Sequence, residues 1–212
     1  MRRLPMRGWA AVLLFALPLP VASQEQSPAA PDAAAVNAVW VEHDVTLNYM
    51  GLTSYYSCDG LRDKVRWVLG QLGARPGFKV TTRGCVRVTG PEVMPSVRIV
   101  AAMPAAATPE ILAQFAADAS KQELAARVQG KSAPAAEATA QFPARVKRVK
   151  FTSSPVDDLR DGDCELMEQL RDGVFGALGV RVVEDRMRCV PRQVTPGSVQ
   201  MTVEVLEPVP QS

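Results

Sequence analysis

From Val39 to Tyr49 the side chains alternate, with Val39, Val41, His43, Val45, Leu47 and Tyr49 on one set of positions and Trp40, Glu42, Asp44 and Thr46 on the other. A period of two predicts a strand with one buried face. The period then changes. Leu61, Val65, Val68, Leu69 and Leu72 recur at helical spacing as one apolar stripe. Gly73 closes that helix and Pro76-Gly77 makes a turn. Strands are predicted over about 78–88 and 96–102 from the same alternation. A similar series follows later, with a strand near 145–152, a helix near 163–178 ending at Gly179, and strands near 180–190 and 198–206.

Aligning the chain with itself at an offset of 106 places Cys58 on Cys164, Val68 on Val174, Gly70 on Gly176, Leu72 on Leu178 and Gly73 on Gly179. These are five identities within the 16 positions 58–73, where about one is expected by chance. The predicted fold class is therefore α+β: a duplicated βαββ unit, residues 38–104 and 144–212, forming an antiparallel sheet with helices packed on it. Residues 105–143 lie between the copies. Thr108-Pro109-Glu110 starts a helix there, with Thr as N-cap and Pro at the first position. Ser120-Lys121-Gln122-Glu123 reads as a capping box, so two extra helices are expected, broken at Ser120, before an Ala-rich linker at 131–143.

The ends change the picture. Met1–Ser23 carries Arg2, Arg3 and Arg7, an apolar run from Trp9 to Leu17, and small residues at Val21 and Ser23, the pattern of a signal peptide. The run is too short to cross about 30 Å of hydrocarbon, and no later segment reaches 18 consecutive apolar residues, so no stable membrane span is expected after cleavage. Residues 24–37 are rich in Pro, Ala and Ser and read as a disordered linker. Arg outnumbers Lys by 18 to 6 and Ala is abundant, which suits a GC-rich bacterium and a periplasmic or secreted address. The formal charge of +2 also changes, because removal of the three leader arginines leaves 21 cationic side chains against 22 acidic ones. Near neutrality and export exclude nucleic acid as the expected partner.

An exported chain with an even number of cysteines is expected to oxidise them. Four cysteines permit three pairings. A duplicated unit keeps its staple inside itself, which selects Cys58–Cys85 and Cys164–Cys189, each closing a loop of about 25 residues and contributing roughly 3–4 kcal/mol in the chain-entropy view.

Catalytic chemistry finds little to work with. His43 is the single histidine and sits in phase with apolar neighbours, as a buried, hydrogen-bonded residue would. Glu42 and Asp44 flank it, but neighbours on a strand point to opposite faces. No nucleophile elbow, zinc-protease helix or calcium loop is present, and Gly130-Lys131-Ser132 lacks the rest of a phosphate-binding loop. No catalytic residue, cofactor or metal ligand is assigned. Asp157, Asp158, Asp161, Asp163 and Glu165 gather where a helix dipole favours acids.

Charge is distributed unevenly between the copies. Residues 58–98 hold eight Lys or Arg against three acids, and 157–172 hold two Arg against seven. Tyr55, Tyr56, Arg62, Arg66 and Trp67 thus form the expected partner-contact patch, with Trp67 off the apolar stripe and either exposed or covered by the inserted helices. The partner class is an envelope protein or a peptidoglycan-like glycan. Two other readings fit the same residues: an envelope hydrolase or transferase using dispersed carboxylates, and a purely structural envelope or stress factor. Arg145-Val146-Lys147-Arg148-Val149-Lys150 reads as a protected sheet edge.

Overall fold

A computed structural model describes residues 35–51, 54, 56–84, 94–129, 140–154, 158–190 and 198–210. In chain order the elements are β1 (Val36–Asn48), α1 (Cys58–Gln71), β2 (Lys79–Arg83), β3 (Ser96–Ala106), α2 (Pro109–Val128), β4 (Phe142–Thr152), α3 (Cys164–Leu170), β5 (Arg181–Asp185) and β6 (Gln200–Pro208). A tighter turn at Asp161–Asp163 leads into α3, and a wider π-type turn at Arg171–Phe175 extends it. The strands form one six-stranded antiparallel sheet in the order β2-β3-β1-β4-β6-β5. The protein is thus α+β, and none of its described helices is long and apolar enough to cross a membrane.

One face of the sheet is apolar. Val39 and Leu47 of β1, Val97, Ile99, Ala101 and Met103 of β3, Val149 and Phe151 of β4, and Met201, Val203 and Val205 of β6 are buried there. Against them lie Leu61, Val65, Val68 and Leu69 of α1 and Leu166, Met167 and Leu170 of α3, in one continuous core. α1 also reaches β4, and the segment extending α3 reaches β1. Trp67 of α1 packs edge-on to Phe151 of β4, with ring centroids 6.1 Å apart. A side chain added at Gly173, in the turn extending α3, would meet Leu47 Cδ1 of β1 at 3.4 Å.

Both helices end alike. Gly73 and Gly179 take positive φ, 79° and 71°, while Ala74 N–H donates to the Leu69 carbonyl and Val180 N–H to the Phe175 carbonyl. A left-handed residue is what lets the chain fold back onto its last open carbonyls.

Several expectations need correction. The insertion holds one continuous helix rather than two: Ser120 Oγ donates to the Ala116 carbonyl at 3.0 Å, so its hydroxyl serves the turn behind it and caps nothing. Thr108 does cap α2, accepting from Ile111 N–H. Val36 and Asn37 belong to β1, and Phe142 and Pro143 to β4, because the two strand starts pair with each other, Val36 with Ala144 and Ala38 with Phe142. The strand expected over 180–190 stops at Asp185 after a bulge between Val182 and Glu184, with only an isolated bridge from Arg188 to Ser198 beyond. Of the strand expected over 78–88, residues 79–83 form β2, and residues 85–88 lie outside the described residues.

Candidate binding surface

Cys164 is bonded to Cys189 as expected. Cys58 is also disulfide-bonded, and its expected partner Cys85 lies outside the described residues. Of the expected contact patch, Tyr55 lies outside them too. Arg62 is held by Asp59 at 2.9 Å and Asp63 at 3.2 Å on its own helix, and Arg66 is exposed. Trp67 is half-buried against the core, and α2 makes no extensive contact with any other described element. Tyr56 is half-buried, and its hydroxyl donates to Asp163 Oδ1. Burial first, and then that hydrogen bond, push the Tyr56 phenol above its ordinary range. The structure therefore turns Tyr56 and Trp67 toward the core and leaves Arg62 and Arg66 on the outer flank of α1.

The acids before α3 do more than meet a helix dipole. Asp163 is only 3% exposed. Its Oδ2 accepts from Lys64 Nζ at 2.7 Å and from Arg160 N–H at 2.7 Å. Lys64 also donates to the Asp158 carbonyl. Nearby, Gln169 holds the backbone of Met50 from both sides, accepting from its N–H at 2.8 Å and donating to its carbonyl at 2.9 Å. Tyr49 donates to the Ser54 carbonyl at 2.7 Å, and Ser54 N–H donates to Glu165 Oε2 at 3.3 Å. These bonds tie α1 and the segment after β1 to the start of α3, a link between distant stretches that no local pattern announces.

The edges suited to a partner are those of β1 and β4 on either side of their short contact. These strands overlap only at their starts, Val36–Ala38 against 142–144, and because the pairing is antiparallel each then runs on past the other's beginning in the opposite direction. The ladder phase shows which backbone groups are left over. Asn37 accepts from Ala107 N–H and Pro143 from Val209 N–H, so odd-numbered residues of β1 bond to β3 and those of β4 to β6. Even-numbered residues point the other way. On β1 the groups of Trp40, Glu42, Asp44 and Thr46 line one edge, and on β4 those of Val146, Arg148 and Lys150 line another, with no strand partner among the described residues. The basic strand is therefore interior in the sheet order yet, among the described residues, open along most of one side. Its side chains alone suggest a protected edge; that the open edge belongs to an interior strand follows only from the pairing.

The two open edges differ in charge. On the β4 side, Arg148 Nε donates to Glu204 Oε1 at 2.9 Å while Arg181 holds the other oxygen from β5. Lys147 reaches Glu207 at 2.6 Å, with Arg145 at 3.5 Å. Arg148 holds the Glu204 carboxyl below its ordinary range, and Lys147 does the same for Glu207. On the β1 side, Arg98 grips Asp44 with two nitrogens and lowers its pKa. At the closed corner Trp40 stacks near Phe142 at 5.1 Å, and the Arg75 guanidinium lies 5.8 Å from the Trp40 ring centre.

His43 points to the apolar face as expected, but it is only half-buried and has no hydrogen-bond partner among the described residues. Burial alone lowers its pKa from 6.5. Above pH 6.5 both folded and unfolded chains carry it neutral. As pH falls below 6.5 the unfolded chain takes up the proton first, so stability drops until the folded pKa is reached and then levels. Chemical denaturation at pH 7, 6 and 5 should show this drop in the wild type and a smaller one in His43→Gln.

Comparison of the chain with protein-family models, with characterised proteins and with solved structures finds no match. Among the described residues no group of three or more His, Cys, Asp or Glu side chains is placed to hold a metal ion.

Proposed function

We propose that this chain is an exported, non-enzymatic binding module of the periplasm, built by duplication of a βαββ unit, stapled by one disulfide in each copy, with a protein or an envelope polymer as its partner. The observation that carries the binding reading is the edge of β4 beyond Ala144, where an interior strand has backbone donors and acceptors with no strand partner among the described residues. Native sheets normally cover or pair such edges, and extended partners add to them. Export is supported by the leader-like Met1–Ser23 and by cysteines in an oxidisable arrangement.

Duplication is supported by correspondences beyond the aligned identities. Val36 and Phe142, which start β1 and β4, Cys58 and Cys164, which start α1 and α3, and Gly73 and Gly179, which end the helical segments, are each separated by 106 positions. The sheet order is also the same read inward from either edge: second, third and first strand of each copy. The axis relating the copies passes where Asn37 opposes Pro143.

Site-specific photocrosslinking in a bacterial host tests the reading. A photoreactive residue at Lys150, on the open edge of β4, is expected to capture an envelope component, and one at Arg66 tests the flank of α1. Cell fractionation of the same cultures should place the protein in the periplasm, with a mature N-terminus at Gln24. Failure of both positions to crosslink would remove the binding reading, and a chain retained in the cytoplasm with Met1–Ser23 intact would remove export.

A further inference from the structure

β1 and β4 each leave an edge open, on opposite sides of their short contact, and the chemistry of the two edges says which one takes a partner and of what kind. Along β4 the exposed residues whose backbone lines its edge are Val146, Arg148 and Lys150. On one face of the sheet Arg148, Lys150 and Arg181 stand against Glu204, and on the other Arg145 and Lys147 stand against Glu207, an excess of three positive charges in all. Arg148 and Arg181 remain 72% and 74% exposed while holding Glu204, so both still present positive charge to solvent. The β1 edge carries Glu42 and Asp44 instead, and Asp44 already has its cation. An anionic partner is favoured on β4 and disfavoured on β1.

The backbone adds direction to this charge. N–H and C=O groups on alternate residues of the open β4 edge match the spacing of an added strand, and a segment of about seven residues would span 146–152. A glycan or a lone anion would use the cations but has no complement for that ladder.

We propose that the open edge of β4 binds an acidic, extended protein segment by strand addition, with carboxylates set opposite Arg148 and Lys150. This rests on the binding-module reading above and names its partner class.

The test uses the mature protein with alternating Glu-Val and Lys-Val peptides of about eight residues as probes. Calorimetry at low salt should show binding of the Glu-Val peptide and none of the Lys-Val peptide. Hydrogen exchange on the wild type should show amide protection at Arg148 and Lys150 on adding the acidic peptide, a readout that needs no variant to fold. Val146→Pro removes a donor on the open edge while sparing the β6 ladder, and should weaken binding by at least about tenfold. Lys150→Glu should weaken it similarly, and Lys79→Glu, on β2, should leave it unchanged.

Equal binding of both peptides, or acidic binding untouched by Val146→Pro and without amide protection, would overturn strand addition. So would absence of binding by either peptide. If Lys150 still crosslinks an envelope component in that last case, the binding reading stands and only the strand-addition inference falls.

Discussion

Replacing Phe151 with alanine is expected to destabilise the protein by about 3–5 kcal/mol, the range for removing a fully buried aromatic ring. Phe151 is 1% exposed and stands where the two helices converge: Trp67 of α1 lies 6.1 Å from it and Phe175, in the turn extending α3, lies 6.4 Å from it. Its loss therefore leaves a void that cannot be filled by shifting one helix without moving the other. Phe151→Leu keeps most of the volume and should cost less than about 1.5 kcal/mol. Val45, at the corresponding position of β1 in the duplicated reading, is only half-buried, so Val45→Ala should cost less than Phe151→Ala. Denaturant titration distinguishes these, and for a chain of this size the Phe151→Ala loss corresponds to a fall in Tm on the order of 10 °C. A small effect at Phe151 would mean that each helix packs on its own strands alone, contrary to the crossed packing described.

The sequence reveals the parts of this architecture that local chemistry determines. Cys58 and Cys164 do begin helices, Gly73 closes α1, Gly179 closes the wider turns that follow α3, and Thr108 does cap α2, because each depends on a few neighbouring residues. Where the outcome turns on distant residues, the pattern misleads. Asn37 and Pro143 have the composition of linkers yet face each other in the sheet, because strand pairing supplies what their side chains do not. Ser120 and Glu123 carry a helix-start signature, and the helix runs through them. Trp67 falls outside the stripe of its own helix because Phe151, more than eighty residues later, supplies the surface that half-buries it.

The candidate site shows the same division. The basic character of 145–150 is plain in the sequence, and so is its strand period. That β4 lies inside the sheet yet has no partner on its β1 side from Val146 onward, among the described residues, depends on β1 and β4 overlapping only at their starts. Such an offset has no local period and leaves no mark on either strand. The acidic cluster before α3 was legible as charge, but its most buried member is selected by Tyr56 and Lys64, more than ninety residues earlier.

That member, Asp163, sets the second large effect. Asp163→Asn is expected to cost about 3 kcal/mol, within the range for removing one partner of a buried, hydrogen-bonded ion pair. Both carboxylate oxygens act as acceptors, Oδ1 from Tyr56 and Oδ2 from Lys64 and Arg160 N–H. An asparagine amide has one acceptor oxygen, so either its NH2 group confronts Lys64 and the Arg160 N–H, or it faces Tyr56, whose hydroxyl must turn to accept. Lys64 would be left with the Asp158 carbonyl and no counter-charge. Lys64→Met should cost less, because the Lys64 side chain is 24% exposed while that of Asp163 is 5%, and the carboxylate keeps Tyr56 and Arg160. If the 2.7 Å contact is a true pairing, the double substitution should cost less than the two single losses together, with a coupling of about 1 kcal/mol or more. Additive losses would show instead that Asp163 acts through Tyr56 and the Arg160 backbone alone. In that case the link between α1 and the start of α3 would be a hydrogen bond rather than a charge pair.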